Sequence, residues 1–119
     1  YSSAGIEVSD IDVVSLHDMC ASEEITALVT MGLASSSDVV KLAESGGLAS
    51  QGALPTNTDG GCIARGHPIG ATGLAQAAEM VTQLRGEAGE RQAAPRAGAG
   101  RRRRRVLCCR SARGVRSRV

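Results

Sequence analysis

The 119-residue chain has no phenylalanine, no tryptophan and a single tyrosine, Tyr1. Its core must therefore come from Ala, Val, Leu, Ile and Met, which bury less area per side chain than aromatic anchors do. Missing aromatics also remove the platforms on which single-stranded nucleic acids stack. Histidine is nearly absent, with only His17 and His67. No secretory signal and no apolar run of spanning length occur, which points to a soluble, cytoplasmic, reducing setting. Cys20, Cys62, Cys108 and Cys109 are then expected as free thiols. The length suits one modest domain, not two. The chain begins on Tyr1 rather than Met, which suggests a part of something larger.

Acidic residues are missing from one end. Residues 1–92 hold all 12 acidic residues and four basic ones, a balance of −8, whereas residues 93–119 hold ten arginines and no acid. Two regions follow: a body over 1–92 and a basic tail over 93–119. Like charges this dense resist compaction, so the tail is expected to be disordered. Its arginines suit sequence-independent attraction to polyanions. Nothing in it predicts a specific nucleic-acid partner or a membrane site.

In the body, "IDVVSLHD" (11–18) reads as a buried strand, rich in β-branched residues and ending on polar His17 and Asp18. Helical spacing begins at Ser22, the expected N-cap, and places Ile25, Leu28 and Val29 on one stripe, with Gly32 as the stop. Residues 34–54 form a surface excursion with one amphipathic piece, "DVVKLAES". A second helix runs from about Ile69 or Ala71 to Arg85, with Leu74, Ala77, Ala78, Val81 and Leu84 as its expected buried face.

Between these units lies "NTDGGCIARGHPIGATG", residues 57–73, with five glycines around one histidine. Glycine permits left-handed backbone and close approach of a ligand, while Pro68 biases His67 away from helix. Such a pinned imidazole suits a general base to a thiol or a hydrogen-bond donor to an oxyanion. The same residues also suit a tightly packed turn with His67 merely solvated. No Lys-Ser/Thr pair follows the glycines, so a phosphate loop does not fit. A third reading joins His17, Cys20, Cys62 and His67 into a tetrahedral zinc site.

The segment "NTDGGCIARGHPIGATGLAQAAEMVTQLRGEAGERQ" resembles the C-terminal domain of thiolases, in the sterol-carrier-protein-type (lipid-transfer) branch. "GHPIGATG" resembles that family's Gly-His-Pro loop, and "HDMCASEE" its His-Asp-Cys-Phe loop, with Met19 third and Cys20 fourth where the family has Cys and an aromatic. The resemblance covers residues 1–92. It implies an α/β fold, the C-terminal half of a thiolase with a mixed sheet and helices on both faces. It implies acyl transfer on coenzyme A thioesters, with no permanently bound cofactor. His67 would favour thiolate formation and bind the thioester oxygen, and His17 would share the oxyanion pocket. Cys20 would be the displaced loop cysteine, Asn57, Gly66 and Gly70 would shape the ligand loop, and Cys62 would only pack. The nucleophilic cysteine would come from an N-terminal domain, so the chain alone is expected to be inactive. The full enzyme is expected to be a homo-oligomer. Where the family continues with a glycine-rich loop and strands, this chain has its arginine run, which suggests a reading-frame shift near codon 93. The alternative functions are a small basic-tailed binding protein and the zinc module.

Overall fold

Residues 11–16 are buried without a break, and Val13–Leu16 of that run forms strand β1. Its β-branched side chains favour extended backbone. In the computed structural model, which describes residues 1–94 and 105–109, the two faces of β1 meet different partners. Val14 and Leu16 enter a core with Ile11, Ala27, Leu28, Val39 and Leu54. Val13 points the other way, onto Met80 and Ala93. This is the two-residue period of a strand.

The first face is covered by α1 (Ala21–Thr30) and α2 (Val39–Glu44). α1 stops where the spacing requires. Gly32 has φ +71°, its N–H donates to Val29 O, and the N–H of Leu33 reaches back to Leu28 O at 2.9 Å, the two bonds of a Schellman ending. Its start differs from expectation: the N-cap is Cys20, not Ser22. Glu23 reaches back instead, its carboxylate accepting the Met19 N–H at 3.1 Å. α2 is the amphipathic piece of the 34–54 excursion, anchored by buried Val39.

After the excursion, α3 (Gly61–Arg65) and α4 (Thr72–Arg85) follow, and α4 covers the second face of β1. Here the expected burial is inverted. α4 buries Thr72, Gln76, Glu79, Met80 and Gln83, whereas Leu74 (74% exposed), Val81 and Leu84 face outward, as do Ala77 and Ala78. Glu79 and Gln83 can be buried because they are satisfied. Glu79 Oε1 accepts from Thr58 Oγ1 at 2.8 Å and Gln83 Nε2 at 3.0 Å. Its other oxygen pairs with Arg91 at 3.1 Å. Gln83 Oε1 accepts the Ala93 N–H and Gln92 Nε2, both at 2.9 Å. The "QLRGEAGERQ" segment is thus a polar staple that folds residues 88–93 back onto α4.

The tail is not without structure. β2 (Val106–Cys109) pairs in parallel with β1, in the register Val13–Val106 to Leu16–Cys109. This corrects the expectation of disorder for that stretch. Its sequence has no alternation to give it away, but the open edge of β1 offers unpaired backbone groups to any short apolar segment. The acidic body also neutralises the tail locally: Asp12 Oδ2 accepts the Arg105 N–H at 2.9 Å, and Arg105 Nη1 lies 3.0 Å from Asp10 Oδ2. The remainder of the tail lies outside the described residues. On the other edge Val14 bridges Thr56 in parallel. Among the described residues the sheet is therefore two parallel strands plus a bridge, with helices on both faces, a partial α/β fold.

Candidate functional site

Two loops meet at the carboxyl end of β1, and buried Asp18 joins them. Its Oδ1 accepts the N–H of Cys62 at 2.6 Å, in the first turn of α3. Gly61 is pressed so closely on that carboxylate that a Cβ there would overlap both oxygens, and its φ is +59°. The glycine pair in "DGG" is thus required by contact as well as by conformation. Asn57 fixes the approach. Its Oδ1 accepts the Leu16 N–H and its own N–H donates to Val14 O, both at 2.8 Å, with the residue itself at φ +48°. Its Nδ2 is buried without a partner among the described residues.

The imidazoles are oriented through their Nδ1 atoms. His67 Nδ1 lies 2.7 Å from Thr72 Oγ1, and the Thr72 hydroxyl donates to Pro68 O at 3.2 Å. A hydroxyl has one proton to give, so in neutral His67 the hydrogen sits on Nδ1 and the lone pair on Nε2. His17 Nδ1 faces Glu23 Oε1 at 3.5 Å, which favours the same tautomer. The two rings meet edge to face, with centroids 4.7 Å apart and planes at 89°. Cys62 Sγ is 4.0 Å from His67 Nδ1. One ligand-capable atom from each of His17, Cys62 and His67 lies within 4.8 Å of the other two.

Three of the four residues read as a zinc set therefore converge, and Cys20 does not join them. Its exposed thiol contacts Ser22 Oγ at 3.2 Å, and that hydrogen bond, with a backbone one near Glu23, holds it below the usual thiol range. Cys62, expected only to pack, is buried yet stands inside the site, and burial pushes its thiol up. Burial, aided by the Asp18 charge, raises Glu24 as well. Gly66 (φ +92°) and Gly70 (φ +88°) bracket the His67 turn, and added side chains there would meet only open space. The loop is thus accessible from outside. A wide hollow of ≈ 670 Å³ lies elsewhere, against Leu33, Asp38, Lys41 and Leu54, and none of its lining residues belongs to the histidine site. Sequence reasoning missed Asp18, Thr72 and Glu23 as positioning groups. Asp18 sat in the quoted loop, but Thr72 became visible only once the turn brought it back to His67.

Residues 1–100 match the family described as thiolase C-terminal domain-like. This chain is a member of the thiolase family. It is 45% identical over 92 residues to sterol carrier protein 2 of Bos taurus, covering 77% of this chain and 17% of that protein. It is equally identical over 92 residues to an acetyl-CoA acetyltransferase of Methanothermobacter thermautotrophicus, covering 77% of this chain and 24% of the relative. It is 33% identical over 87 residues to the benzoylsuccinyl-CoA thiolase subunit BbsB of Thauera aromatica, covering 73% and 23%. This thiolase segment thus spans about a fifth of the length of the relatives it matches. The resemblance read from the two loops holds, as does the α/β class drawn from it, although the described residues show only parallel pairing and not the mixed sheet.

Proposed function

We propose that the chain supplies the histidine side of an acyl-transferring thiolase site acting on coenzyme A thioesters. The observation that carries this reading is the edge-to-face pair of His17 and His67, each with Nδ1 occupied and Nε2 left for chemistry. A thiol from a companion domain gives its proton to His67 Nε2, and the resulting thiolate attacks the thioester carbonyl. The carbonyl π electrons move to oxygen, and the new imidazolium N–H of His67 donates to that oxyanion. When the tetrahedral adduct collapses, the coenzyme A sulfur leaves and takes the proton back from His67. The acyl group stays on the companion cysteine until a second acceptor removes it.

Two further observations support the need for a companion. Burial pushes the Cys62 thiol above the usual thiol range, which makes it a poorer nucleophile than a free thiol. The apolar stripe of α4, starting at Leu74 just past the His67–Thr72 contact, stays exposed, Leu74 most of all. That stripe is where an N-terminal thiolase domain would seat. The isolated chain would then show no thiolysis. The role assigned to Cys20 from the resemblance finds no support in its position, and the reading gives it none. Open left-handed glycines at 66 and 70 leave the backbone near His67 uncovered for the ligand.

The test is a chimera in which residues 1–92 replace the matching segment of the Methanothermobacter relative. Thiolysis is expected to return, and His67→Ala to lower kcat about 10²–10⁴-fold, the usual contribution of a positioned acid–base group. An active chimera indifferent to His67→Ala sinks the reading. In the natural chain, a thioether analogue of acetyl-coenzyme A should move both imidazole ¹⁵N signals, and an analogue that moves neither also sinks it.

A further inference from the structure

We propose that His17, Cys62 and His67 form a three-ligand site for a borderline-soft divalent cation, with Zn²⁺ as the fitting ion. The donor set is two imidazole nitrogens and one sulfur, drawn from two separate loops and held together by the fold rather than by sequence proximity. Zinc takes such N/S ligands in tetrahedral geometry, at about 2.0 Å to nitrogen and about 2.3 Å to sulfur. Those bond lengths put ligand atoms about 3.3–3.7 Å apart. The three atoms here already lie within 4.8 Å of one another, so side-chain rotation of about an ångström closes the site.

The surroundings are those of a metal centre. Ligating histidines usually give their second ring nitrogen to a carboxylate, carbonyl or hydroxyl, which fixes the tautomer and raises ligand basicity. His17 has Glu23 in that role and His67 has Thr72. The Asp18 carboxylate, bound to the Cys62 N–H, adds negative charge behind the sulfur. His67 is exposed while Cys62 is buried and His17 lies between the two, so an ion has an open side. Three protein ligands and one accessible position is the arrangement of zinc centres that keep a water or substrate ligand.

Binding exchanges one proton: the Cys62 S–H bond breaks, the sulfur binds the ion, and the proton leaves to solvent. Nothing is oxidised. With the Nδ1 atoms held by Glu23 and Thr72, the ion would take the Nε2 lone pairs, and neither imidazole could then take a proton from a thiol. Metal occupancy and the acyl-transfer role of His67 are mutually exclusive, and the site can be filled to silence that chemistry.

The test uses the full chain freed of metal and titrated with Co²⁺, then Zn²⁺, with no thioester present. One equivalent of Co²⁺ is expected to give a thiolate-to-cobalt charge-transfer band that Zn²⁺ abolishes. Cys62→Ser should lose that equivalent and Cys20→Ser should keep it. Glu23→Gln should weaken Zn²⁺ binding about 10-fold or more, as loss of an outer hydrogen bond does. A charge-transfer band that persists unchanged in Cys62→Ser overturns the proposal. The chain has only two histidines, so the wild type offers a check that needs no variant. Zn²⁺ should shift the imidazole ¹⁵N signals of His17 and His67 in the same titration, and an ion that leaves either unmoved overturns the site. Because these readouts contain no thioester, their failure leaves the acyl-transfer reading standing, and the chimera's failure leaves this one.

Discussion

The two long helices, α1 and α4, flank one strand and treat their apolar stripes in opposite ways. α1 turns Ala27 and Leu28 onto Val14 and Leu16 and leaves Ile25 of its expected stripe exposed. α4 turns Leu74, Val81 and Leu84 outward and lays Gln76, Glu79 and Gln83 along its inner face, with Met80 as its one large apolar contribution. Hydrophobic periodicity reports that a face wants burial, but not what will bury it. In α1 the partner is the neighbouring strand. In α4 the inner contacts are carried largely by Glu79 and Gln83, satisfied by Thr58, Arg91, Gln92 and Ala93, and this leaves the apolar stripe for a surface beyond the described residues.

If that contrast is real, α1 should behave as a conventional core helix. Leu28→Ala removes a fully buried side chain and is expected to cost about 2–5 kcal/mol, the range for core truncations of this kind. Equilibrium urea unfolding measures it. A loss below about 1 kcal/mol, typical of exposed positions, would contradict the packing around β1.

The inner face of α4 should instead be sensitive to pH. Burial by itself would raise the Glu79 pKa, but hydrogen bonds from Gln83 and Thr58, with the Arg91 pair, outweigh it and hold the carboxyl below its ordinary value of 4.5. A depressed folded-state pKa means the added stability is complete above the unfolded value and is lost as pH falls through the folded one. Glu79→Gln should therefore be less stable than wild type by about 1.5–3 kcal/mol at neutral pH, the range for hydrogen bonds to a charged group. The gap should narrow as pH drops below about 4.5. Paired urea titrations at neutral and acid pH decide it; a gap that stays constant would remove the ionised carboxylate from the network.

The contrast also explains what the sequence disclosed. The strand read at 11–18, which forms over Val13–Leu16, the Gly32 stop and the two histidine loops were legible because their causes are local: β-branching, left-handed glycine, and a proline after His67. The orientation of α4 was not, since Glu79 and Gln83 are drawn inward by Thr58, Arg91 and Ala93, none of them within the helix. β2 was hidden for a related reason. Its pairing rests on an edge created by β1 and on Asp10 and Asp12 meeting Arg105, and neither is visible within "VLCC". Cys62 entered the site through Asp18, 44 positions away, so a local reading assigned it to packing.

The weakest expected effect is the most telling about α4. Leu74→Ala alters a residue 74% exposed, so the stability of this chain should change by no more than about 0.5 kcal/mol. Hydrophobic helix residues are seldom so neutral when they face their own core, which makes a null result informative. In the chimera, where the relative's remaining domain is present, the same substitution should become costly, because the leucine then leaves a cavity in a packed interface. Measured side by side, the two backgrounds separate the alternatives. Equal, small effects in both would mean that the stripe is surface and that the companion domain seats elsewhere. A large effect already in the isolated chain would mean that α4 packs with the face the periodicity first indicated.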